Sequence, residues 1–89
     1  MITLHLIIHG RVQGVFFRDA MKREALVLGI SGWVRNRSDG TVEAVVQGET
    51  AIVDAITDWA HRGPKHAMVE RVIAEPADGE FTGFEILYD

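Results

Sequence analysis

The chain has 89 residues, 47% of them apolar, a net charge of −4 and no cysteine. That is one domain's worth of chain, expected over residues 1–89, and its stability rests on one core burying about 60–65% of the unfolded surface. Disulfide frameworks, thiolate metal sites and a cysteine nucleophile are excluded; no segment approaches the roughly 20 apolar residues of a membrane span, and Leu6-Ile7-Ile8, flanked by His5 and His9, is too short for a signal peptide.

Residues 2–9 alternate, with Ile2, Leu4, Leu6 and Ile8 on one face and Thr3, His5, Ile7 and His9 on the other. This predicts a strand with one buried and one mixed face. Gly10 to Gly14 are expected to break it. From Phe17 the period becomes helical, through Phe17, Met21, Ala25 and Leu28, and Gly29 supplies a stop. Residues 30–37 and 41–47 read as two strands joined by a hairpin turn at Ser38-Asp39-Gly40. Thr50 is the expected N-cap of a second helix. Ile52, Ile56, Trp59 and Ala60 form its apolar stripe, and Gly63-Pro64 ends it. Residues 67–74 and 83–88 read as the last strands. Strand, helix, two strands, helix, strand, with a short extra strand, predicts an α+β fold. It is the ferredoxin-like βαββαβ sandwich, an antiparallel sheet with two helices on one face.

Two stretches carry candidate chemistry. In residues 10–18, GRVQGVFFR, Gly10 and Gly14 permit a tight loop that turns successive N–H groups inward at a helix start, a concave anion site. Arg18, in the first helical turn, can grip two oxygens of a phosphate or carboxylate. Phe16 and Phe17 are expected to wall the loop and pin the helix. A plain glycine turn followed by a surface arginine fits the same spacing. The loop lacks the Lys-Ser/Thr of a nucleotide-binding P-loop and is not G-x-G-x-x-G. In residues 32–48, Asn36 precedes the hairpin turn. Its amide both donates and accepts, so it can hold a water at a set angle; it is also an ordinary turn residue.

Together these stretches closely resemble the acylphosphatase family. Gly10-Arg11-Val12-Gln13-Gly14-Val15-Phe16-Phe17-Arg18 fits a G-x-V-Q-G-V-x-[aromatic]-R signature throughout. Gly32-Trp33-Val34-Arg35-Asn36, continuing through Gly40 and Val42 to Gly48, fits a G-[aromatic]-V-x-N-x-x-x-G-x-V run closed by a later glycine. Gly63-Pro64 and Phe84-Glu85-Ile86 also fit. The resemblance implies hydrolysis of acyl phosphates to carboxylate and inorganic phosphate, with no metal and no organic cofactor. It implies that Arg18 binds the phosphoryl group and Asn36 orients the attacking water. The backbone N–H groups of Val12, Gln13, Gly14, Val15, Phe16 and Phe17, with Arg11 at the margin, would cradle phosphate oxygens. The expected partners are a small-molecule acyl phosphate and inorganic phosphate or a similar anion at the loop, with no nucleic acid and no membrane. The expected enzyme is a cytoplasmic monomer.

The remaining features read as structural. Residues 1–38 carry six Lys/Arg against two Asp/Glu, and residues 39–89 carry three against eleven. A local positive anion site on an acidic body fits this split, as does ordinary surface variation; a broad nucleic-acid surface does not. His5 and His9, about 13 Å apart along a strand, cannot share one metal ion. His61, His66 and Asp78-Gly79-Glu80 read as solvated, Asp19 as a helix N-terminal charge, and Trp33 and Trp59 as packing residues. The main rival is a non-catalytic regulatory module that binds a phosphorylated metabolite through the same fold. An RNA-binding domain would need aromatics on its central strands within a basic motif. A chain of this length starting at Met1 is expected to stand alone, rather than to handle carbamoyl phosphate within a larger protein.

Overall fold

A computed structural model describes residues 1–88. In chain order it contains β1 (Ile2–Arg11), α1 (Phe17–Leu28), β2 (Ser31–Asn36), β3 (Val42–Gly48), α2 (Thr50–Arg62), β4 (Met68–Pro76) and β5 (Phe84–Ile86). The sheet order is β4-β1-β3-β2-β5. β1 lies antiparallel to both β3 and β4, and β2 antiparallel to β3. This is the ferredoxin-like arrangement expected from the pattern. One edge departs from the expected antiparallel sheet: β5 runs parallel to β2, pairing Gly32 with Phe84 and Val34 with Ile86.

The alternation in β1 works as a sorting device. Leu6 and Ile8 point into one core with Val34, Val42, Ala44 and Val46 from the neighbouring strands. Helix α1 adds Phe17, Met21 and Ala25 to that core, and α2 adds Val53, Ile56 and Ala60. Each fully buried aliphatic or aromatic side chain contributes about 1.5–3 kcal/mol, and these residues hold both helices on one face. Val53, outside the expected stripe, completes it at spacings of three and four with Ile56 and Ala60. Leu28 and Ile52 pack at the margin of the core.

Several boundaries move, each for a local reason. β1 continues through Gly10 and Arg11, which pair with Val69 and Met68. The β1–β4 register passes from His9–Arg71 to Gly10–Val69, leaving Glu70 as the extra residue of a bulge. The bulge lets Val69 and Val72, three residues apart, both pack against the core. At Gly10, with φ 130°, an added Cβ would meet the Met68 carbonyl oxygen at 2.1 Å, so only glycine fits. Gly10 is therefore a strand residue rather than a loop residue. Glu49, in extended conformation, caps α2 without a side-chain bond, and Thr50 is the first helical residue rather than the cap. Both helices close as expected: the Gly29 N–H donates to the Ala25 carbonyl and the Gly63 N–H to the Trp59 carbonyl. No helix among the described residues is long and apolar enough to cross a membrane.

Candidate active site

Between the end of β1 and the start of α1, residues 12–16 form a loop hung from the core by two side chains. Val12 and Val15 are buried, while Gly14 and Phe16 between and beyond them are exposed. Gly14 and Phe16 both take positive φ, 74° and 62°, and Phe16 is the one non-glycine residue among those described to do so. Left-handed residues alternating with right-handed ones turn consecutive N–H groups toward one side. The first N–H groups of a helix also lack intrahelical acceptors. Among the described residues, no backbone or side-chain acceptor engages the N–H groups from Val12 to Arg18.

Helix α1 starts here because Phe17 is anchored. Its ring is 1% exposed and packs on Trp59 of α2 with centroids 5.4 Å apart and planes at 59°. The expectation that both phenylalanines pin the helix is corrected: Phe16 is 76% exposed and pins nothing. The Phe16 carbonyl accepts from the Ala20 N–H, making it the N-cap.

A cleft of about 270 Å³ opens at this end of the molecule, lined by the loop, Arg18, Asp19, Asn36 and Tyr88. Arg18 and Asn36, eighteen positions apart in sequence, thus share one cleft. From the loop, Val12, Gly14, Phe16 and Phe17 contribute to its wall. Gln13 and Val15 are not among the lining residues, and Arg11 lies outside it as the last residue of β1. Asn36 is the last residue of β2. By strand alternation it falls on the helix face with Val34, next to the loop. Its Oδ1 is buried and has no hydrogen-bond partner among the described residues. Unsatisfied buried acceptors are rare and demand a reason.

Two features of this cleft lie beyond the sequence reading. Tyr88 stacks on Arg18, whose guanidinium carbon lies 5.1 Å from the ring centroid. A cation over an aromatic face is held without using any of its N–H donors, and Arg18 has no hydrogen bond or ion pair among the described residues. Gln13, read only for its backbone, acts through its side chain. Its Nε2 donates to the Arg37 carbonyl at 2.7 Å and the Thr41 carbonyl at 2.9 Å. The loop is thereby tied to the hairpin that follows Asn36. No local pattern announces a bond spanning 24 or 28 positions, and a single aromatic at position 88 of 89 carries no periodicity.

The hairpin is rigid in its own right. Asp39 Oδ1 accepts from the Thr41 N–H at 3.0 Å and the Thr41 hydroxyl at 2.6 Å. These bonds, the hydroxyl first, hold the Asp39 carboxyl below its ordinary value. No cluster of three or more His, Cys, Asp or Glu among the described residues could hold a metal ion. His61 and His66 are exposed, as expected.

Known proteins resemble this chain over nearly all of its length. A family model described as Acylphosphatase matches residues 4–86. A relative from Thiobacillus denitrificans that bears the name Acylphosphatase is 60% identical over 85 residues, covering 96% of each chain. The structure of an acylphosphatase from Coxiella burnetii superposes with a TM-score of 0.93 at 36% identity, over 97% of this chain and 92% of that one. The acylphosphatase from Bacillus subtilis gives 0.94 at 30% identity, over 99% and 100%.

Proposed function

The chain belongs to the acylphosphatase family of hydrolases, and from that premise we propose that it cleaves acyl phosphates in the cleft between the 12–16 loop, Arg18 and Asn36. In this reading the phosphoryl group sits at the start of α1, where the loop N–H groups and the Arg18 guanidinium meet its oxygens. Asn36 Oδ1 accepts a hydrogen from a water and aims that water's oxygen at phosphorus. The oxygen–phosphorus bond forms as the bond from phosphorus to the acyl oxygen breaks. The electron pair leaves on the carboxylate, and the water's proton passes to a phosphoryl oxygen.

The residues suit the reaction because the leaving group is already good. A carboxylate is weakly basic and needs little protonation, so the work reduces to neutralising phosphoryl charge and aligning water. Fixed N–H dipoles and one arginine do the first without reorganisation. Asn36 does the second without adding negative charge beside an anionic substrate. A strong general base is dispensable, and the chain's own groups cover every step. The absence of cysteine suits a reducing cytoplasm.

The observation that carries the reading is the Asn36 oxygen, buried in the wall of the same cleft as an arginine with no ion pair among the described residues. A pure phosphate-binding module would gain nothing from an unsatisfied buried acceptor there. The test is hydrolysis of benzoyl phosphate in EDTA by wild type and Asn36→Ala. Rapid EDTA-insensitive turnover, lost in the variant, is the expected result. No turnover by a folded wild-type chain would leave a binding module, with phosphate affinity at Arg18 the remaining question.

A further inference from the structure

An acyl phosphate bound at the loop must point its acyl group out of the cleft, and two aromatic walls flank the exit. Tyr88 is engaged, with the Arg18 guanidinium on its face. Phe16 is not: its ring has no aromatic or cationic partner among the described residues, although it is 76% exposed. Three properties make it unusual. It is a large apolar side chain left in water. It occupies a left-handed conformation that bulky residues avoid, so its placement is strained. It also lines a second groove of about 440 Å³, which shares Phe16 and Asp19 with the first and is lined further by Lys22, Arg23 and Leu26. Leu26 is itself 59% exposed. The backbone twist serves the N–H cradle, but the exposed ring serves no packing in the free protein and becomes intelligible if something apolar covers it.

We propose that Phe16 is the platform for the acyl group, that the groove running to Leu26 is the acyl subsite, and that the chain therefore favours acyl phosphates with aromatic or bulky apolar acyl groups. This rests on the phosphate-cleft reading above and deepens it: the loop takes the phosphoryl group common to all acyl phosphates, and Phe16 distinguishes among them. The ring is set by the same backbone twist that turns the loop N–H groups, so platform and phosphate cradle keep a fixed relation.

The experiment compares kcat/KM for benzoyl phosphate and acetyl phosphate in wild type, Phe16→Ala, Phe16→Gly and Leu26→Ala, with inhibition by inorganic phosphate measured beside them. Wild type should prefer benzoyl phosphate. Phe16→Ala should lower the benzoyl-to-acetyl ratio about tenfold, what loss of one aromatic contact with its buried area is worth. Leu26→Ala, outside the phosphate cradle, should keep its phosphate inhibition constant within about twofold. Phe16→Gly relieves the positive φ, so an equal fall in the ratio assigns the effect to the ring rather than the backbone. Leu26→Ala should lower the ratio by about two- to threefold. An unchanged ratio in both Phe16 variants would overturn the proposal. So would a ratio that falls together with a large rise in the phosphate inhibition constant, since Phe16 would then merely shape the loop. Failure of wild type to hydrolyse either compound would instead sink the phosphate-cleft reading itself.

Discussion

Arg35 and Asn36 are neighbours on β2 and meet opposite fates. Arg35 lies on the open face of the sheet, where its Nε donates to Glu43 Oε1 at 2.6 Å and its guanidinium carbon sits 5.6 Å from the Trp33 ring centroid. Glu43 Oε2 is 2.7 Å from His5 Nε2. A paired polar row thus crosses β1, β3 and β2. One residue further along, Asn36 turns to the other face and its buried oxygen has no protein partner among the described residues. The difference separates two uses of polar groups. Paired ones lock register and contribute to stability; those left without a protein partner around a cleft are available to a ligand and contribute little to the fold.

Mutation should pull these uses apart. Arg18→Gln should break the cleft most severely: kcat/KM for benzoyl phosphate should fall by at least about 10³-fold with loss of phosphate inhibition. Stability should change by no more than about 0.5 kcal/mol, because among the described residues the one specific interaction of the Arg18 guanidinium is its stacking on Tyr88. Normal turnover by this variant would remove Arg18 from the site. Asn36→Ala should cost about 10²-fold in kcat with a much smaller change in KM, the pattern of a positioning group. Because it deletes an unsatisfied buried oxygen, its urea midpoint should match or exceed that of wild type. A marked loss of stability would mean that Asn36 is structural.

Glu43→Gln should do the reverse, costing about 1–2 kcal/mol of stability and leaving turnover intact. Burial pushes the Glu43 carboxyl up, but hydrogen bonds from His5 and Arg35 outweigh it and hold the group below its ordinary value of 4.5. A carboxyl depressed in the folded state contributes stability that is present above its unfolded value and lost as pH falls through its folded value. The stability gap between wild type and Glu43→Gln should therefore close as pH drops below about 4.5. Urea titrations from pH 7 downward check this, and a gap that does not narrow at all below about pH 4.5 would show that shape rather than charge matters at Glu43.

What could be read in advance follows the range of the interactions concerned. Alternation along residues 2–9 and the helical stripe from Phe17 to Leu28 are local, and they delivered the fold with two helices on one face. Gly14 and Arg18 fall within five residues, so their loop was legible; Asn36 joined them through resemblance rather than geometry. The bulge at Glu70 was hidden because it changes the period of β4, so that Val69 and Val72 look misplaced for a strand. The parallel pairing of β5 depends on a return path that no local pattern encodes. Phe16 was expected to pin the helix beside Phe17 because large aromatic residues are well buried on average, and the positive φ that turns it outward is invisible in composition.

Gln13 is where the two regions touch, and it gives the smallest and most informative expected effect. Its Nε2 bonds to the Arg37 and Thr41 carbonyls join the loop carrying the N–H groups to the hairpin that follows Asn36. Gln13→Ala removes both bonds and leaves the carbonyl of Thr41, a buried residue, without this donor. The expected stability cost is about 1 kcal/mol. If the tie also fixes the distance between cradle and water, kcat should drop by about three- to tenfold, since small misplacements cost rate steeply. Gln13→Glu sharpens the question. It keeps the length of the side chain but sets carboxylate oxygens against two carbonyls, so it should be worse than alanine in both readouts. Loss of stability without loss of kcat in both variants would mean that loop and hairpin hold their relation through Val12, Val15 and Phe17 alone. Fold and site would then be coupled only through the core.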